Sequence, residues 1–119
     1  VLALIIGLLA WSAARADEAE DTKAVKQEIQ AQIDLIKADK ADELKKHFTE
    51  RQRKKLTAEI VAAGKKEVEK YTLDDLIASV GYGEFDGKKT AKIKMKNGRT
   101  LTTLMLVDGK WLADTIWFK

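Results

Sequence analysis

"KMKNGRTLTTLMLVDGKWLADTIWF" (Lys94–Phe118) sets apolar runs around two turn dipeptides, Asn97-Gly98 and Asp108-Gly109. A third dipeptide, Asp86-Gly87, lies just upstream. Asp or Asn followed by Gly tolerates the positive φ angles of a type I′ turn, the tightest link between antiparallel strands. Three such turns, with eight to ten residues between and after them, predict an antiparallel meander of three to four strands. The expected strands are about Val80–Phe85, Lys88–Lys96, Arg99–Val107 and Lys110–Phe118. Gly81 and Gly83 weaken the first and are expected to mark a bulge.

Two-residue turns fix the register, so the faces follow. Met95 is expected opposite Thr100, Ile93 opposite Thr102, Ala91 opposite Leu104, Leu106 opposite Trp111, and Thr100 opposite Trp117. One face then carries Tyr82, Ile93, Met95, Leu104, Trp111 and Trp117, the candidates for lining an apolar pocket. The other carries Leu101, Met105, Leu112, Ile116 and Phe118 among Lys92, Lys94, Lys96, Arg99 and Asp114. A solvated sheet face alternates to mostly polar residues. Neither face does so here. The second is therefore the candidate face for a homodimer through the sheet, or for another partner. Trp111 and Trp117 are read first as packing residues and second as ligand contacts.

Upstream of residue 80 the period is helical. Val25, Ile29, Ile33 and Ile36 form one stripe of an amphipathic helix, with Asp21 or Thr22 as its cap. "ADELKKHF" places Ala41, Leu44 and Phe48 on one face, with Asp39 as its expected cap. Thr57 precedes a helix carrying Ile60, Val61 and Val68. Thr72 and Asp75 form a variant capping box before Leu73, Leu76 and Ile77. The fold class is α+β, with N-terminal helices packed on the meander.

"VLALIIGLLAW" (Val1–Trp11) is an apolar run of eleven residues, whereas a spanning helix needs about 20. Ala14-Arg15-Ala16 follows it with a small-x-small pattern, and then the acidic "DEAED". Residues 1–16 read as a partial signal peptide lacking its n-region, with cleavage expected after Ala16. Residues 17–119 are expected to form a single exported domain, periplasmic or secreted. The alternative is an uncleaved membrane anchor. The chain of 119 residues has no Cys, so it holds no disulfide, thiol nucleophile or Cys-ligated zinc.

The order of helices and then a meander resembles the nuclear transport factor 2-like superfamily, with its cystatin-like cone. "KADKADELKKHFTE" (Lys37–Glu50) is similar to that family's helix junction, and "LVDGKWLADTIWF" (Leu106–Phe118) to its closing hairpin. The resemblance implies a bent sheet around a long first helix, often enclosing an apolar cavity. Its members include ketosteroid isomerase-like and SnoaL-like enzymes, which place an acid or His in the cavity, and many non-catalytic binding or dimerisation modules.

His47, the sole His, lies at the edge of an apolar stripe and is one candidate general base, although no orienting partner is specified nearby in sequence. Asp114 is the other; among apolar groups its pKa would rise, while beside Lys92 or Lys94 it would be a surface charge pair. One His and scattered carboxylates give no zinc spacing, and no Gly-rich phosphate loop or Ser-His-Asp arrangement is evident, so neither metal nor cofactor is expected. Lys88–Lys119 carries eight Lys or Arg against two Asp, and Lys45–Lys55 six against one Glu. Such patches suit a solvated strand edge or an anionic envelope component; export argues against nucleic acid. The expected function is an exported, non-catalytic binding or interaction module with an apolar pocket between helix and sheet. The alternatives are a small ketosteroid isomerase-like or SnoaL-like enzyme, and an envelope-assembly subunit held by the N-terminal segment.

Overall fold

The computed structural model describes residues 2–118, with side chains from residue 18 onward. The chain runs α1 (Leu2–Lys37), α2 (Ala41–Lys45), α3 (Glu50–Arg53), α4 (Ala58–Val68) and α5 (Leu73–Leu76). The strands follow: β1 (Ser79–Phe85), β2 (Lys88–Lys94), β3 (Thr100–Val107) and β4 (Lys110–Ala113). They form one antiparallel sheet in the order β1-β2-β3-β4. The protein is α+β, helices first and then a meander against which they pack. The side chains of the expected signal peptide lie outside the described residues. Among the described residues no helix is long and apolar enough to cross a membrane.

The stripe Val25, Ile29, Ile33 and Ile36 is buried against Ala91, Ile93 and Leu104 of the sheet. Each such side chain contributes about 1.5–3 kcal/mol over its exposed state. Asp21 and Thr22 do not cap α1, because the helix runs through them. They instead tie α1 to the sheet: Thr22 Oγ1 lies 2.6 Å from the Tyr82 hydroxyl, and Asp21 pairs with Lys89. Asp39 is also not a cap. Its φ of 56° turns the chain after α1, and the N-cap position of α2 is Lys40, with no side-chain bond. The other two starts fall as expected. Thr57 Oγ1 accepts from Ile60 N at 3.2 Å, and Thr72 and Asp75 bond reciprocally.

Asp86-Gly87 and Asp108-Gly109 have positive φ at both residues, as a type I′ turn requires. Asn97-Gly98 does not; only Gly98 is positive, at 87°. Gly98 N bonds Met95 O at 3.0 Å and Met95 N bonds Arg99 O at 2.8 Å, so three residues form this loop. The extra residue appears as a register shift after Ile93, where Lys94 rather than Met95 lies opposite Thr100. Beyond the shift the pairs are those derived: Ile93–Thr102, Ala91–Leu104 and Leu106–Trp111. β1 pairs with β2 without a bulge at Gly81 or Gly83.

β4 stops at Ala113, five residues short of the expected end at Phe118. Ala113 bonds His47 O and Thr49 N, each at 2.9 Å, making a parallel bridge that covers this part of the sheet edge. Asp114 is then held by Thr49 and Arg51 of the helical layer. The chain leaves the ladder, so Trp117 does not lie opposite Thr100. Ile116 and Phe118 enter the core, where Phe118 meets Phe48 edge-on at 6.1 Å between ring centres.

These two departures correct the candidate dimer face. Leu101, next to the register shift, joins the core with Ile116 and Phe118. Leu112 is buried as well, and Met105 alone of the five stays half-buried. Together they do not form one exposed patch, because the chain's own last residues and helices cover most of them.

Candidate functional site

Ile29 and Ile36 of α1 and Ile93 and Leu104 of the sheet share one core and are fully buried in it. Ile93 and Leu104, two of the candidate pocket residues, are fully buried there among α1 side chains and line no pocket. The indentations lie at the margins of this core. Met95 and Trp117 share a cleft of about 240 Å³ with Val68, Leu76, Leu101 and Phe118. Its rim is Glu67, Tyr71, Asn97 and Arg99.

Local chemistry builds this cleft. The Thr57 and Thr72 side chains cap the starts of α4 and α5, and Lys96 N bonds Asp75 O of α5 at 3.0 Å beside the cleft. Gly64 in α4 lets Phe118 approach so closely that a Cβ there would overlap its ring. The Trp117 indole Nε1 donates to Gln32 Oε1 at 2.8 Å, which anchors the ring from the α1 side. Trp117 also meets Phe118 edge-on at 5.4 Å. On the rim, Glu67 pairs with Lys70 at 3.1 Å. No ion pair or side-chain hydrogen bond holds the Arg99 guanidinium among the described residues. The cleft thus offers an apolar floor and one cation without a counter-ion.

Tyr82 and Trp111 lie elsewhere. Their rings stack at a tilt, 6.4 Å apart, and Tyr82 is fixed by Thr22. Burial pushes the Tyr82 hydroxyl above its usual pKa. Trp111 lines a second, more open cleft of about 350 Å³ with His47, Glu28 and Lys110. Here the missing partner of His47 appears. Its Nδ1 is 2.9 and 3.0 Å from the two carboxylate oxygens of Glu28, nineteen residues earlier on α1. Gln32 supports the pair, donating from Nε2 to Glu28 Oε2 at 2.8 Å and to His47 O at 3.3 Å. Burial raises the Glu28 carboxyl above its ordinary pKa, and the Gln32 bond and the His47 charge only partly oppose this. With Nδ1 turned to Glu28, the other ring nitrogen is the one left for solvent or a ligand. The arrangement can pass a proton, but no Ser or Cys nucleophile lines the cleft.

Asp114 pairs with Arg51 and Thr49, not with Lys92 or Lys94. Arg51 grips it through Nε at 2.8 Å and through Nη2, and Thr49 Oγ1 donates at 2.8 Å. Burial pushes its carboxyl up, yet the Arg51 and Thr49 bonds and the guanidinium charge together hold it below the usual range. Among the described residues no group of three or more His, Cys, Asp or Glu side chains is placed to hold a metal ion. Compared with known proteins, the chain matches no protein family, no curated protein and no solved structure.

Proposed function

We propose that the protein is an exported, non-catalytic binding module, and that its ligand is a small apolar molecule with a carboxylate or similar anionic end. The observation that carries this reading is the Met95–Trp117 cleft, where an apolar floor meets the free guanidinium of Arg99. Ligand sites pair apolar walls with a few placed polar groups, and this cleft, just below the usual size range of about 300–1,000 Å³, suits a small ligand. The open clefts beside Glu28, His47 and Asp114 favour binding over catalysis, since each of these groups sits at an exposed margin. Isothermal titration with octanoate tests the proposal. The wild type should bind, Arg99→Gln should weaken binding about tenfold, and Leu101→Asp should abolish it. Equal binding by Arg99→Gln would remove the anionic end from the proposal, and no binding by the wild type would reject the ligand class.

The Glu28–His47 pair favours a second reading, a small enzyme that moves a proton at the Trp111 cleft. In that case Glu28→Gln and His47→Gln would abolish turnover of an activated carbonyl substrate, and both would leave octanoate binding intact.

A further inference from the structure

The sheet face away from α1 carries a groove that the ligand cleft does not touch. Its volume is about 720 Å³. Met105, Val107 and Leu112 form the floor, α3 and the following Lys54 form one wall, and the β1–β2 turn forms the other. Phe85, at that turn, is 68% exposed. Phe85 thus stands exposed beside the half-buried Met105 and Val107, an apolar strip framed by polar residues.

Charge decides the kind of partner. Arg51 and Asp114 neutralise each other within the groove. Arg53 is fixed by its Nε donating to Lys45 O at 3.2 Å and to Phe48 O at 3.1 Å, so it is a positioned cation with no acidic partner among the described residues. Lys54 and Lys88 have none either. Glu50 and Asp86 are the remaining acids of the lining. The register adds Lys92, opposite Thr103, to the same sheet face.

We propose that this groove docks an acidic, amphipathic segment of a partner protein. Its apolar side chains seat on Met105, Val107 and Leu112, and its carboxylates meet Arg53, Lys54 and Lys88. A second copy of this chain fits poorly, because a two-fold axis would set the same cations against one another. A flat bilayer fits poorly too, because the apolar floor is recessed between α3 and the β1–β2 turn, where a narrow chain segment can reach it.

The test uses a fluorescein-labelled peptide built from repeated Leu-Glu-Glu-Leu-Leu-Glu-Glu units, and the same peptide with Lys for Glu. Anisotropy should show binding of the acidic peptide alone, weakening as salt is raised. The Lys54→Glu, Lys88→Glu double variant should lose about tenfold or more in affinity, and Met105→Asp a similar factor, with thermal melts close to wild type. Binding of both peptides alike, or binding of the acidic one that ignores these substitutions, overturns the proposal. So does a wild-type dimer in sedimentation that Met105→Asp dissociates, which would assign the groove to a second copy. Co-sedimentation with phosphatidylglycerol vesicles through the same lysines, without peptide binding, would assign it to a membrane surface and likewise overturn it.

Discussion

Gly64 shows how much one side chain decides. A glycine inside a helix costs about 1 kcal/mol relative to alanine, so Gly64→Ala would stabilise α4 if nothing stood opposite. The Phe118 ring stands where that Cβ would be. Overpacking wins: Gly64→Ala should destabilise the protein by about 1–3 kcal/mol, read from urea unfolding, and should shift the Phe118 ring resonances. A stabilised variant would show that Phe118 does not seat on α4. Trp117→Phe should also cost about 1–3 kcal/mol, because it leaves the fully buried Gln32 without the indole donor. Neither contact was legible in the sequence. Gly64 reads as an ordinary weak point of a helix, and Gln32 sits 85 residues from Trp117. His47 is similar. Its chemistry was visible, but Glu28 reaches it only because Asp39 folds α2 back along α1.

The helices and strands were the legible level, since each rests on local chemistry. The α1 stripe, the Thr57 and Thr72 caps and the two Asp-Gly turns are where periodicity and turn preference put them. The misplaced elements are those whose ends depend on distant residues. Asn97-Gly98 suits either a two-residue or a three-residue loop, and the longer one moved Leu101 from the expected dimer face to the core. β4 ends at Ala113, and the next side chain, Asp114, is held by Thr49 and Arg51 while its N–H still bonds Thr103 O at 3.0 Å. That clamp has a pH signature. A carboxyl held below its ordinary pKa of 3.8 contributes stability above that value and loses it as pH falls through the folded-state pKa. Thermal melts from pH 6 to about pH 2 should therefore fall less steeply for Asp114→Asn than for wild type. Parallel acid profiles for the two would mean that the Arg51–Asp114 clamp contributes nothing measurable.

At the scale of the molecule, the indentations described lie at the margins of the helix–sheet core. The Met95–Trp117 cleft lies at one end, the Glu28–His47 pair borders Trp111, and the groove over Met105 and Val107 occupies the opposite sheet face. Sequence patterning predicted an apolar helix–sheet contact correctly but could not say whether it was full, because that depends on how Ile29, Ile33, Ile93 and Leu104 interlock. NMR spectra recorded with increasing octanoate test the resulting view most directly. The predicted result is a set of shifts concentrated at Leu76, Met95, Arg99, Leu101 and the Trp117 indole, with Ile29, Ile93 and Leu104 unmoved. Shifts centred on Ile29, Ile93 and Leu104 would reveal a ligand inside the helix–sheet interior and contradict binding at the marginal cleft.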